Sequence, residues 1–265
     1  MTSKLGTALV TGASSGIGAT YADRLASRGH DLILVARDAG RLGELAEKLS
    51  AAHGIKAEVL RADLSERSDV LKVEERLRAD EAITLFVNNA GIGPVTSLLE
   101  SDVDYLDTMV ALNVTAANRL AVAAAQTFAK RRAGAIINTA SVVALAPQMF
   151  NGTYAATKAF VLSLTESLAA ELKDKNVRVQ AVLPGLTRTE IFDRVGRSFD
   201  DMEPEKVMDV TDLVDAALAG LDQGELVTIP ALADPGIWDA YLSARSALGP
   251  HLSLRKPATR YGVER

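Results

Sequence analysis

Short, nearly continuous apolar runs alternate along this chain with longer segments whose apolar positions return every third or fourth residue. The first pattern suits a strand buried on both faces, and the second marks one face of a helix. Residues 5–11 (Leu-Gly-Thr-Ala-Leu-Val-Thr) predict an opening strand, and Ala19–Arg28 a helix with Ile17, Tyr21 and Leu25 at helical spacing. His30–Ala36 predicts a strand, and Asp38–Ala52 a helix with Leu42, Leu45 and Leu49 on one face. Ile55–Arg61 reads as a strand, Glu66–Arg78 as a helix begun by Ser65, and Ile83–Asn88 as another strand. A long helical stretch is predicted over 102–130, a strand over Ala135–Thr139, and a second long helix from Gly152 to Lys173. Val177–Pro184 and Leu226–Ile229 predict strands with a helix at Thr211–Leu221 between them, and Gly236–Ala247 predicts a last helix.

Strands that alternate with helices imply a parallel sheet covered on both faces, with right-handed crossovers. The expected fold class is therefore α/β, a doubly wound parallel sheet. In such sheets ligands bind beyond the carboxyl ends of the strands. Gly12, Arg37, Asp63, Asn89, Ser141 and Gly185 each follow a predicted strand, so the pattern gathers them at one edge.

Two local motifs carry chemistry. Gly12-Ala-Ser14-Ser15-Gly16-Ile17-Gly18 joins the first strand to the first helix. Glycines there allow a tight turn and close backbone approach, and the free N–H groups of a helix start favour a pyrophosphate. The spacing is Gly-x3-Gly-x-Gly, which differs from the Gly-x-Gly-x-x-Gly dinucleotide fingerprint. Further on, Tyr154 and Lys158 lie four residues apart, and Ser141 lies thirteen residues before the tyrosine. Positions i and i+4 share a helix face. A tyrosine titrates at about 10, and a neighbouring cation is expected to favour the phenolate and lower that value.

In this order, Thr11-Gly12-x3-Gly16-x-Gly18, Asp63, Asn88-Asn89-Ala90-Gly91, Asn113, Ser141, Tyr154, Lys158 and Pro184-Gly185 resemble the short-chain dehydrogenase/reductase family in its compact form. The match runs from residue 11 to 189 and leaves the last third of the chain generic. The resemblance implies a single Rossmann-like domain with helices on both faces of the sheet. It also implies Asn113, Ser141, Tyr154 and Lys158 as the catalytic group. Tyr154 would serve as general acid/base, Ser141 would hold the carbonyl oxygen, and Lys158 would hold the nicotinamide ribose. Asn113 would hold a water that links Lys158 to solvent. Asp63, followed by Leu64, would meet the adenine; Asn89, Ala90 and Gly91 would lie along the ribose. Pro184, Gly185, Thr187 (by its backbone) and Thr189 (by its hydroxyl) would lie near the nicotinamide amide and the phosphates.

The choice between cofactors rests on the end of the second strand. A carboxylate there would bond the ribose 2′-hydroxyl, whereas an arginine accommodates a 2′-phosphate. The strand ends in Ala36-Arg37, and the planar fork of Arg37 suits phosphate, so NADP(H) is expected over NAD(H). Asp38 is placed to start the following helix. Ser15 stands where many NADP-dependent relatives carry a basic residue.

Composition narrows the reading further. A net charge of −5 argues against a nucleic-acid partner. The absence of cysteine excludes disulfides, thiolate metal sites and a cysteine nucleophile. The first strand leaves no room for a signal peptide, and Asn118 and Arg119 break the alanine-rich stretch after Asn113. A cytoplasmic protein with no membrane partner is expected. Asn113-Val-Thr115 and Asn151-Gly-Thr153 are then accidental glycosylation triplets.

Gly93, Val142, Val143, Met149, Phe150, Leu186, Ile191 and Phe192 are expected to wall an apolar pocket, with residues 190–210 as a lid over a small carbonyl or alcohol substrate. Residues 1–248 would form the domain and 249–265 a basic extension. The long helices imply, by resemblance, a homodimer or homotetramer. The alternative functions are an epimerase or dehydratase of the same family, and a nucleotide sensor without catalysis.

Overall fold

In a computed structural model that describes residues 5–188 and 203–263, seven parallel strands form one sheet. They are β1 (Thr7–Thr11), β2 (Asp31–Ala36), β3 (Ala57–Arg61), β4 (Ile83–Asn88), β5 (Gly134–Thr139), β6 (Val177–Val182) and β7 (Val227–Thr228). Their order is β3-β2-β1-β4-β5-β6-β7. The chain thus winds outward from β1 in one direction and from β4 in the other, as the strand–helix pattern predicts.

Alternation along the strands explains why both faces are covered. Ala8 and Val10 of β1 and Leu32 and Leu34 of β2 face one apolar cluster. There they meet Tyr21 and Leu25 of α1 (Gly16–Ser27), Leu42 and Leu49 of α2 (Ala39–His53), and Leu213 and Leu218 of α7 (Val210–Gln223). Leu9, Ile33 and Val35 point the other way. They meet Val73 and Leu77 of α3 (Arg67–Ala79), Leu120 and Phe128 of α5 (Ala117–Arg131), and Leu168 of α6 (Gly152–Leu172). The fold class is the expected doubly wound α/β sheet.

Three local expectations change. The first helix begins at Gly16, not at residue 19, because a residue without Cβ can coil directly beneath the turn. A Cβ on Gly18 would lie 2.1 Å from the Gly12 carbonyl oxygen. Ser65 does not cap α3: its N–H and hydroxyl both donate to Asp63 Oδ1, at 3.0 and 2.6 Å, and Glu66 takes the N-cap position. The long helix is interrupted. After α4 (Val103–Val110), residues Ala111–Ala116 form a π-helical segment that leads into α5. Asn113 sits in it with both side-chain atoms bonded to Ile92, which offsets the poor helix propensity of asparagine.

By length and composition Val103–Arg131 could cross a membrane, with half of its apolar window buried inside the protein. Its apolar side chains have an internal use, since Leu120, Ala121, Ala124 and Phe128 belong to the second cluster.

A first compact unit ends at Pro230, and a second begins at Ala231. The second holds α8 (Pro235–Ala247), whose N-cap Asp234 accepts from Gly236 N at 2.9 Å. Trp238 and Tyr241 stack at 5.0 Å on that helix. The expected boundary after residue 248 falls inside this unit.

A buried polar relay locks α6 to the sheet. Asn88 Nδ2 donates to Asn138 Oδ1 at 3.0 Å and to the Ala117 carbonyl at 2.9 Å. Asn138 Nδ2 donates in turn to Thr165 Oγ1 at 3.0 Å. Removing one member leaves buried partners unpaired, at about 1–3 kcal/mol each. Asn138→Ala should therefore lower the unfolding free energy by that order, read as a lower urea midpoint with an unchanged slope. An unchanged midpoint would show that the relay does not hold α6.

Candidate functional site

The direction of winding reverses between β1 and β4, and a cleft of about 1380 Å³ opens at the carboxyl ends of the strands there. Thr11, the last residue of β1, ties its two sides together. Its hydroxyl donates to Val87 O at 3.2 Å and accepts from Asn89 N at 2.9 Å and Ala90 N at 3.1 Å. Asn89 Nδ2 returns a bond to Thr11 O at 3.1 Å. The turn after β1 and the turn after β4 are thereby sewn edge to edge.

The glycine turn occupies one wall. Gly12 has φ +68°, and a Cβ there would lie 3.0 Å from Ala90 Cα and from Asn89 Nδ2. Gly12, Ser14, Ser15, Gly16 and Ile17 line the cleft, whereas Gly18 packs behind it against Gly12. Ser15, the N-cap of α1, makes no side-chain capping bond. The first N–H groups of this helix therefore suit an anionic group.

Arg37, Asp63 and Leu64 line the end of the cleft beside β2 and β3. Arg37 is largely exposed, with Nη1 3.9 Å from Asp63 Oδ2. Asp38 caps α2 by accepting from Arg41 N at 3.0 Å, as expected from its place after Arg37. The sequence reading missed Arg41, which also lines this end and stands 3.7 Å from Asp38. Asn89, Ala90, Gly91, Pro184, Gly185 and Thr187 line the cleft too. Thr189 lies outside the described residues.

Ser141, Tyr154 and Lys158 come together on the opposite side. Tyr154 and Lys158 share one face of α6, with Nζ 5.7 Å from the centre of the phenol ring. Lys158 is buried and donates to Thr139 O at 2.9 Å. Ser141 Oγ donates to Pro184 O at 3.3 Å and accepts from Val143 N at 3.4 Å. Asn113 stands behind this wall: Oδ1 accepts from Ile92 N at 2.9 Å, while Nδ2 donates to Ile92 O at 2.9 Å and to Thr157 Oγ1 at 3.3 Å. A Cβ on Gly91 would lie 3.0 Å from Asn113 Oδ1 and 3.6 Å from Lys158 Nζ, so both groups flank the same glycine.

The electrostatics reverse one expectation. Burial pushes the Tyr154 phenol up to about 12, and the neighbouring Ser141 hydroxyl offsets this only in part. Lys158 was expected to make the phenol more acidic. Its own ammonium is brought down to about 8, because burial disfavours that charge as well. Loss of hydration governs both groups, and the phenol keeps its proton at neutral pH.

Gly93, Val142, Val143, Met149, Phe150 and Leu186 line the cleft as expected, while Ile191 and Phe192 lie outside the described residues. The expected lid shares that limit up to residue 202. Beyond it, Met208 N donates to Leu186 O and Arg188 N to Met208 O, both at 2.9 Å. Among the described residues no cluster of His, Asp and Glu could hold a metal ion. The donors present fit a nicotinamide dinucleotide: an uncapped helix start, a cradle closed by glycines, two arginines, and a buried Thr139 hydroxyl that has no partner among the described residues.

Comparison with known proteins agrees with this geometry. A family profile described as short chain dehydrogenase matches residues 6–198. A short-chain dehydrogenase from Sphingobium yanoikuyae, solved in complex with NADPH, is 47% identical with a TM-score of 0.93, over 97% of this chain and 100% of its own. The bulky-bulky ketone specific alcohol dehydrogenase from Comamonas testosteroni is 45% identical with a TM-score of 0.90, over 98% of this chain and 99% of its own. The (S)-acetoin-forming diacetyl reductase of Staphylococcus epidermidis is 34% identical over 212 residues, 79% of this chain and 80% of its own.

The lysine supplies a test. Its pKa falls from 10.5 to about 8 on folding, so between those values the unfolded chain holds a proton that the folded one has released. Stability then rises with pH across that window. Comparing wild type with Lys158→Met by denaturation at pH 7 and pH 9.5, wild type should gain stability relative to the variant at the higher pH. A constant difference would place the amine at its ordinary value.

Proposed function

This chain belongs to the short-chain dehydrogenase family, and on that premise we propose that it is an NADP(H)-dependent oxidoreductase acting on bulky, apolar ketones and secondary alcohols. The observation that carries the reading is the placement of Ser141, Tyr154 and Lys158 on the wall of the cleft that the glycine turn and the start of α1 also line. The dinucleotide, when bound, supplies hydride to the carbonyl carbon. The protein's part is to hold the substrate oxygen and deliver a proton to it.

Charge develops on that oxygen in the transition state, where fixed donors have most leverage. Tyr154 donates its phenolic proton and Ser141 a hydrogen bond. A phenol with its pKa at about 12 is protonated at neutral pH and can serve as the acid in carbonyl reduction. Lys158, at about 8, titrates close enough to neutrality to return a proton to the tyrosine. A path from Lys158 to solvent past Asn113 belongs to this reading.

At the other end of the cleft Arg37 and Arg41 recognise the 2′-phosphate, and Asp38 is occupied as a helix cap. The apolar side chains of Val142, Val143, Met149, Phe150 and Leu186 support an apolar substrate. The ketone named for the Comamonas relative supports a large one. The same reading includes a homo-oligomer formed through the long helices, where Val103, Val110 and Phe160 are exposed, and action in the cytoplasm.

Fluorescence titration tests the cofactor assignment. NADPH should bind more tightly than NADH, and Arg37→Asp should remove most of that difference, with Arg41→Ala removing part. Equal binding, or tighter NADH, overturns the assignment. Tyr154→Phe should bind NADPH as wild type does and lose about 10²–10⁴-fold in ketone turnover. Full turnover in that variant would overturn the role of Tyr154.

A further inference from the structure

The segment that follows β4 forms the outer wall of the cleft, from Ile92 through Leu98. It is irregular up to a 3-10 turn at Leu98–Glu100 and carries exposed apolar side chains, with Val95 46% and Leu98 45% accessible. Chain of this kind needs external bonds to hold one shape. Three side chains from later elements supply them. Asn113 holds both backbone groups of Ile92. The Tyr105 hydroxyl, from α4, donates to Gly93 O at 2.6 Å. The third is Asn151.

Asn151 is the N-cap of α6, the helix that carries Tyr154 and Lys158. Its Oδ1 accepts from Thr153 N at 3.1 Å and from the backbone N of Tyr154 itself at 3.3 Å. Its Nδ2 donates to Thr96 O and to Ser101 Oγ, both at 3.2 Å. Ser101 Oγ donates onward to Ser97 O at 2.7 Å. The carboxamide is buried and has both its ends in use. Aspartate or serine would cap a helix as well, but neither offers the two N–H donors of an amide. The next residue repeats the point, since a Cβ on Gly152 would lie 3.2 Å from Leu98 Cδ2. The wall packs directly onto the first turn of α6.

We infer that Asn151 is a positioning residue: one carboxamide fixes the substrate wall at 96–98, directly and through Ser101, to the start of the helix that presents Tyr154, and so sets the distance at which a bulky ketone meets the phenol. The inference rests on the function proposed above. A substrate small enough to leave the wall untouched does not use this tether. A substrate with large groups on both sides of its carbonyl does, and a shift of about 1 Å in such placement costs on the order of 100-fold in rate.

Asn151→Asp separates the two halves of the role. It keeps the capping oxygen and replaces the donor to Thr96 O by an oxygen, so α6 stays capped while the tether is lost. Relative to wild type, this variant should keep its thermal midpoint within a few degrees and its NADPH affinity within about twofold. Its kcat/KM for valerophenone should fall about 10- to 100-fold, chiefly through kcat, and that for butanone by less than about threefold. Ser101→Ala should move in the same direction by less. Equal losses for the two ketones, or Asn151→Asp kinetics like wild type, overturn the inference and leave Asn151 as a cap only.

Hydrogen exchange of the amides from 92 to 101 gives a reading that does not depend on turnover. Protection there should drop in Asn151→Asp and stay intact in α6. Unchanged exchange overturns the inference whether or not the wild type reduces a ketone. A wild type that reduces neither ketone while the variant loses protection leaves the tether standing and places the failure in the proposed function.

Discussion

Close approach of the backbone after β1 to the backbone after β4 is the constraint on which the site depends. The two strands are neighbours that lead to opposite halves of the sheet, so their carboxyl ends diverge into a cleft. What keeps that cleft at one width is short-range: the Thr11 hydroxyl takes three backbone partners across the gap, and Asn89 returns a fourth bond. Gly12 and Gly18 permit it, because a Cβ at Gly18 would overlap the Gly12 carbonyl and one at Gly12 would press on Ala90. Close packing of backbone on backbone leaves little room for adjustment. The wall of a binding site is here also part of the core.

The same tightness sets the chemistry. Lys158 is buried and Tyr154 half-buried in the cleft wall, and loss of hydration acts on both in the direction of the neutral form. A phenol that retains its proton and an amine that gives one up near neutrality form a donor with a nearby reservoir. An argument from charge proximity alone predicts the opposite for the phenol. Desolvation wins because the Lys158 ammonium is itself disfavoured by the burial that brings it close.

The elements of the fold were legible in the sequence because both apolar periods were strong. The strand over Ile83–Asn88 and the start of α6 at Gly152 match the observed bounds, and Asp38 stands as the cap that opens α2. The π-helical segment was not legible, since Ala111–Ala116 has an ordinary helical composition and its widening coincides with bonds from Asn113 to a loop twenty-one residues away. Ser65 looked like a cap because serine commonly is one, but Asp63 lies two residues before it and captures both its donors. Of the site, the residues at strand ends were visible through one rule about sheet edges. Arg41 and Asn151 were not, because each acts from a helix start toward a partner that only the fold brings near.

Asn151 shows why a position of that kind escapes sequence reasoning yet matters to function. Read locally, an asparagine before Gly-Thr-Tyr is a helix cap, and the cap is present. The cap uses only the acceptor end of the side chain. The donor end reaches Thr96 and Ser101, some fifty residues earlier in the chain, and the wall it holds is otherwise irregular and exposed. A regular element can be placed by its own periodicity, but a loop is placed by whatever bonds reach it from outside. Here those bonds come from Asn113 beside Lys158, from Tyr105, and from the residue that starts the tyrosine's own helix. Wall and proton donor are therefore referred to the same elements, and a displacement of α6 carries the pocket with it.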